Sequence, residues 1–177
     1  MPNNFFISGM PKAGKTTLLR KIIKDLKTRG YDVGGFISPE IKEHGTREGF
    51  YVEDITTGKK TLLASTVGDG PKISKYHVNV KEFEGIALET MRNAKDYDLV
   101  IIDEIGRMEL ESVKFGDILE DLLQGSKPVV ASLHRDLVRD YENFGNIYRL
   151  TEENHNEVEM EIMDNLLKIL GKKVKKN

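Results

Sequence analysis

Two rhythms of apolar residues alternate along the chain: short unbroken runs, and stripes recurring every three or four positions. The first run, Phe5-Phe6-Ile7, closes on Ser8-Gly9 and predicts a buried strand. Leu18, Leu19, Ile22, Ile23 and Leu26 then recur at helical spacing until Gly30, with Arg20, Lys21, Lys24, Lys27 and Arg29 on the solvated face. Asp32 to Ile37 is the next strand, ended by Ser38-Pro39-Glu40, where proline stops regular pairing. From about Ile41 to Val80 the alternation breaks. Two β-like runs, Gly49 to Ile55 and Lys59 to Ala64, flank a Thr56-Thr57-Gly58 turn, with polar, glycine-rich stretches at Glu43 to Glu48 and Ser65 to Ser74. This predicts an antiparallel excursion on the sheet, since the segment is too short for a core of its own.

Alternation resumes with a helix over Val80 to Ala94 (Phe83, Ile86, Ala87, Met91 inward) and a strand at Leu99-Val100-Ile101-Ile102, apolar at every position. Such a run suits a parallel strand covered on both faces. Val113 to Leu123 reads as a helix, Pro128 to His134 as a strand, and Ile147 to Leu150 as a small strand. Thr151 is the expected cap of a last helix carrying Val158, Ile162, Leu166 and Leu170, followed by a solvated basic tail at Lys172, Lys173, Lys175 and Lys176. The pattern predicts one α/β domain over residues 1–177, a mostly parallel sheet with helices on both faces.

Chemistry enters where the first strand meets the first helix. Gly9-Met10-Pro11-Lys12-Ala13-Gly14-Lys15-Thr16 fits G-x-x-x-x-G-K-[ST], the Walker A loop, with strand before and helix after as that motif requires. Glycines let the main chain curl around an anion, and the unpaired N–H groups of the first helical turn, from Lys15 through Thr17, add to the nest. In this reading Lys15 reaches the β- and γ-phosphates and the Thr16 hydroxyl ligates Mg²⁺. Asp103 and Glu104 end the apolar strand at Ile102, and strand C-termini face the ligand crevice of a parallel sheet. Asp103 is expected to orient Mg²⁺ through a bound water. Glu104 is placed to accept a hydrogen bond from water aligned on the γ-phosphate; the competing reading makes it a loop cap.

Composition narrows the rest. The 177 residues include no cysteine, which excludes disulfides, thiolate metal sites and cysteine nucleophiles. A net charge of −2 exerts no global pull on nucleic acid, and no stretch is apolar enough to span a bilayer. The start, Met1-Pro2-Asn3-Asn4, lacks the basic opening of a signal peptide, so a cytoplasmic setting is expected. Mg²⁺ is the only metal expected, because the four histidines show no ligand spacing. Arg47 is a candidate phosphate ligand against the simpler reading of a solvated loop arginine. Arg107 and Arg135 are candidates for an added catalytic cation, and Tyr148 or Phe144 for stacking on a base.

The run Asp103-Glu104-Ile105-Gly106-Arg107-Met108-Glu109-Leu110 resembles the P-loop nucleoside triphosphatase family first described from thermophilic microbes, which has a human cancer-related member. Gly35-Phe36-Ile37-Ser38-Pro39-Glu40, Arg47-Glu48-Gly49-Phe50 and Thr151-Glu152-Glu153-Asn154 extend the resemblance over nearly the whole chain. It implies a RecA-like fold and slow, Mg²⁺-dependent hydrolysis of several nucleoside triphosphates (ATP, GTP, CTP, UTP) to diphosphate and phosphate. It further implies that the strand at Val129 to Leu133 lies between the loop strand and the Asp103 strand, bringing Ser132 or His134 to the γ-phosphate as a sensor. Glu109, inside the shared run, is the reserve for Glu104. Three positions depart from the family pattern: Lys12 for glycine, Arg107 for lysine, and His155 for arginine. A small-molecule or nucleotide kinase, a GTPase switch and a nucleotide-gated module binding protein or RNA compete with the hydrolase. Against them, no arginine-rich lid and no N-K-x-D element is evident.

Overall fold

The computed structural model describes residues 3–171. In chain order the strands are β1 (Asn4–Gly9), β2 (Val33–Ile37), β3 (Glu40–Glu43), β4 (Thr46–Asp54), β5 (Lys60–Ser65), β6 (Lys72–Ile73), β7 (Tyr76–Val78), β8 (Leu99–Ile105), β9 (Val129–Leu133) and β10 (Asn146–Leu150). The α-helices are α1 (Lys15–Thr28), α2 (Val80–Arg92), α3 (Val113–Gln124), α4 (Val138–Tyr141) and α5 (His155–Leu170). All the strands form one sheet in the order β10-β1-β9-β8-β2-β4-β5-β7-β6, with β3 paired to β4. The pairs β10·β1, β1·β9, β9·β8 and β8·β2 are parallel, whereas β2·β4 and the strands beyond it are antiparallel. The expected α/β sheet with an antiparallel excursion is therefore present, and β9 does lie between β1 and β8.

Side-chain parity explains why the central strands are apolar throughout. Phe5 and Ile7 of β1, Leu99 and Ile101 of β8, and Val130 of β9 pack with Leu18, Leu19, Ile22 and Leu26 of α1 and Val158, Ile162 and Leu166 of α5. Phe6, Val100, Ile102, Val129 and Ala131 point to the other face, against α2 and α3. There Phe36, Phe83 and Phe115 meet edge-on, with ring centroids 5.1–5.9 Å apart. Successive residues thus serve opposite cores, which makes these strands apolar on both faces through most of their length.

Several boundaries differ from the sequence reading. β8 runs on through Asp103 and Glu104 to Ile105, because Ile105 is buried and paired with Leu133 across an irregularity that spans the two acids. Glu43 to Glu48 belongs to a β3–β4 hairpin instead of a loop; charged residues are tolerated on such an exposed edge. Pro39 still joins the ladder through its carbonyl, which accepts from the Tyr51 N–H at 2.9 Å. Thr151 does not cap α5. The capping residue is Asn154, whose Oδ1 accepts from the Thr151 N–H at 2.7 Å while its Nδ2 donates to the Arg149 carbonyl at 2.9 Å. The lysine tail after Gly171 lies outside the described residues.

Candidate active site

β1, β9 and β8 run side by side in one direction, so Gly9, Ser132, His134, Asp103 and Glu104 gather at the C-terminal ends of these strands. The loop from Met10 to Gly14 turns there, with the Ala13 N–H bonded to the Met10 carbonyl at 3.0 Å. Gly14 caps α1 at φ 89°, ψ 33°, a left-handed conformation that glycine adopts without a side-chain clash. Gly9 must also be glycine, since a Cβ there would stand 2.6 Å from the Leu150 carbonyl oxygen of β10. The loop is braced from α5 as well. The His155 ring covers Gly14, and its Nε2 lies on the Ala13 carbonyl, which makes that nitrogen the protonated one. His155 therefore has a structural task at the loop that the sequence did not disclose.

Lys15 is buried, and its Nζ lies 3.2 Å from the Gly9 carbonyl and 3.3 Å from Glu104 Oε2. Met10, Pro11 and Lys12 stand exposed at the loop tip, Ala13 is buried, and Thr17 is exposed in the first turn of α1. Asp103, 3% exposed, is the centre of a hydrogen-bond network. Thr16 Oγ1 donates to its Oδ2 at 2.8 Å, the Ser38 N–H reaches the same oxygen at 3.3 Å, and Ser132 Oγ donates to Oδ1 at 2.6 Å. Ser38 Oγ also bonds the Asp103 carbonyl. Ser132, fully buried, thus fixes the acid, and Ser38 is a partner that only the tertiary fold reveals.

Glu104 and Glu109 flank Gly106: a Cβ there would meet Glu104 Oε1 at 2.7 Å and Glu109 Oε1 at 2.9 Å. Burial pushes the Glu104 carboxyl above the ordinary range; Lys15 opposes this and the negative charge of Asp103 adds to it. Glu109 is 4% exposed, and burial followed by repulsion from Glu104 drives its pKa well above the ordinary value. Its protonated form is thereby favoured over the carboxylate. His134 Nδ1 accepts from the Asp136 N–H at 3.2 Å, and burial lowers its pKa against the pull of Asp136.

Other candidates fall elsewhere. Arg47 is held on the antiparallel side by an ion pair with Glu40, its guanidinium 5.5 Å from the centre of the Phe50 ring. Tyr148 stacks on Phe5, and Phe144 packs against Tyr141, so both aromatics fill the sheet's flanks instead of standing free for a base. Among the described residues, no three His, Cys, Asp or Glu side chains form a metal cluster. A cation held here would take hard oxygen donors from Thr16 and Asp103 and complete its shell from phosphate and water. That donor set suits Mg²⁺, which seldom has an all-protein cage.

A family model described as NTPase matches residues 4–163. The chain belongs to this NTPase family. Curated relatives called nucleoside-triphosphatase THEP1 include one from Methanocaldococcus jannaschii, 43% identical over 164 residues, covering 92% of this chain and 96% of the relative. One from Pyrococcus abyssi is 43% identical over 170 residues, covering 95% and 94%. Among solved structures, THEP1 from the hyperthermophile Aquifex aeolicus superposes with a TM-score of 0.78 at 29% identity, over 92% of this chain and 98% of that one. A human cancer-related nucleoside triphosphatase gives 0.75 at 28%, over 91% and 95%. The P-loop α/β fold is common to them. Among the described residues no helix is long and apolar enough to cross a membrane.

Proposed function

We propose that this NTPase-family enzyme hydrolyses the γ-phosphoryl group of nucleoside 5′-triphosphates in a Mg²⁺-dependent reaction, slowly and with little regard for the base. The observation that carries this reading is the 3.3 Å approach of Lys15 Nζ to Glu104 Oε2, which puts the loop lysine and the acid pair in one cleft. The 43% identity to nucleoside-triphosphatases supports it. A cysteine-free chain without a membrane-crossing helix among its described residues suits a cytoplasmic enzyme whose partners are nucleotides. The 1–177 stretch acts as one domain in this reading.

Thr16 and Asp103 would hold Mg²⁺, which when bound offsets charge on the β- and γ-phosphate oxygens. Lys15 is shared between the Gly9 carbonyl and Glu104. An arriving γ-phosphate offers Lys15 a stronger anion, and Glu104 is freed to accept a proton from water. The water oxygen attacks the γ-phosphorus in line as the bond to the β–γ bridging oxygen breaks. That oxygen leaves with the electron pair, giving nucleoside diphosphate and inorganic phosphate, while the water proton passes to Glu104. Ser132 and Ser38 keep Asp103 fixed through these changes, and catalysis comes from positioning and charge.

The test is phosphate release from ATP, GTP, CTP and UTP by the purified chain, with and without Mg²⁺ and with no acceptor added. Release from all four, within about a hundredfold in kcat/KM, is expected. Glu104→Gln should keep nucleotide affinity and lose at least about tenfold in turnover. Dependence on an added acceptor would instead establish a kinase, and unchanged turnover in the variant would remove Glu104 from the role of base.

A further inference from the structure

Beyond the C-terminal end of β9, three positively charged or protonatable groups collect around one carboxylate. Asp136 Oδ2 lies 3.4 Å from Arg107 Nη2 and 3.8 Å from His134 Nδ1, and Asp136 Oδ1 lies 4.0 Å from Arg135 Nε. The other end of the Arg135 guanidinium, Nη1, rests on the Met10 thioether. Met10 directly follows Gly9, so this side chain spans from Asp136 to the tip of the phosphate loop. Neutral methionine sulfur is a weak acceptor, a poor final partner for a guanidinium with five donors.

Charge counting points the same way. At this rim two guanidiniums, those of Arg107 and Arg135, share the single carboxylate of Asp136. Both contacts to Asp136 are long and about half exposed, so a phosphate can take either arginine at little cost. His134 registers the convergence: Lys15, Arg135 and Arg107 each press its pKa down, after burial itself and against Asp136. Of the two guanidiniums, the one touching the phosphate loop is that of Arg135.

We propose that Arg135 is the catalytic cation supplied in cis to the γ-phosphoryl group, and that Asp136 is the positioning residue holding it, with Arg107, beside the phosphate loop. The inference rests on the hydrolase reading. On nucleotide binding the guanidinium exchanges the Met10 sulfur for γ-phosphate oxygens and stabilises the charge that develops as the phosphoryl group transfers. Asp136 keeps its hold on Arg107 and fixes the segment from which Arg135 reaches.

The experiment compares wild type with Arg135→Ala, Arg135→Lys, Asp136→Asn and the double variant Arg135→Ala/Asp136→Asn, each checked for an unchanged melting temperature. Arg135→Ala should lower kcat at least about a hundredfold with KM within about threefold. Arg135→Lys should recover part of that loss, since lysine restores the charge without the planar fork. Asp136→Asn should cost about tenfold, and the double variant should be no slower than Arg135→Ala alone, because Asp136 acts through Arg135. Independently of turnover, fluoroaluminate should trap labelled ADP on wild type with Mg²⁺ and fail to trap it on Arg135→Ala, while a non-hydrolysable triphosphate binds both equally. Equal kcat in wild type and Arg135→Ala overturns the assignment. So does a parallel loss of triphosphate affinity with kcat unchanged, which would make Arg135 a binding group only. A wild-type chain that releases phosphate from no nucleotide would sink the hydrolase reading itself, a different outcome from either.

Discussion

The brace between α5 and the phosphate loop makes a quantitative claim about Gly14. Replacing it with alanine has two costs that the structure separates. The residue sits at φ 89°, ψ 33°, and holding a Cβ-bearing residue in the left-handed region costs about 1–2 kcal/mol. The new Cβ would also stand 2.6 Å from His155 Cε1, so the ring must move and give up its bond to the Ala13 carbonyl, worth about 1 kcal/mol. Gly14→Ala should therefore destabilise the nucleotide-free protein by about 2–3 kcal/mol, roughly 4–12 °C in Tm for a chain of this size. In a His155→Ala background the second cost vanishes and about 1–2 kcal/mol remains. The assay is a double-mutant cycle by thermal unfolding followed by circular dichroism, without nucleotide. A coupling of about 1 kcal/mol is expected. If Gly14→Ala costs the same with and without His155, the imidazole does not brace the loop and the departure at position 155 has no structural role there.

Two further predictions concern the buried acids. Glu109 has a folded pKa well above its unfolded value, so the native state holds a proton that the unfolded chain gives up, and stability falls as pH rises above the ordinary glutamate range. Glu109→Gln, a near-isostere of the neutral acid, should raise Tm over wild type at pH 8 and lose that advantage near pH 4; a constant difference across pH would show that Glu109 is ionised in the fold. For Glu104, whose carboxyl burial pushes upward, kcat/KM should rise with pH through a midpoint above 4.5. A stopped assay in constant-ionic-strength buffers reads this, and a midpoint at or below 4.5 would contradict the burial argument.

How far the sequence discloses this protein depends on the range of the interaction that makes each feature. The phosphate loop is local: strand, glycines, lysine and helix are consecutive, so Gly9 to Thr17 could be read without the fold. The central strands were equally clear, because burial on two faces leaves an unbroken apolar run at Leu99 to Ile102. Edge strands carry no such mark. β3 is Glu-Ile-Lys-Glu, mostly exposed, and nothing in its sequence marks it as a strand although its pairing with β4 is regular on both sides of a bulge. The four residues of α4 are too few to show a helical period. Thr151 and Asn154 are both good capping residues, and only the folded backbone chooses between them, turning the Thr151 N–H onto the Asn154 side chain.

Beyond the loop, the site is assembled across long stretches of sequence. Asp103 draws one hydrogen bond from 87 residues before it and another from 29 after; His155 meets Ala13 across 142 positions, and Arg135 meets Met10 across 125. The resemblance to the triphosphatase family anticipated that β9 would fall between β1 and β8, and that single placement decides most of the site. It puts Ser132 behind Asp103 and carries His134, Arg135 and Asp136 over the end of the phosphate loop. Neighbouring positions on β9 therefore have unlike tasks: Ser132, fully buried, fixes the acid, and the residues just past the strand supply charge at the rim. A change at Ser132 should disturb the metal side of the cleft and a change at Arg135 the γ-phosphate side, although only Leu133 and His134 lie between them in the chain.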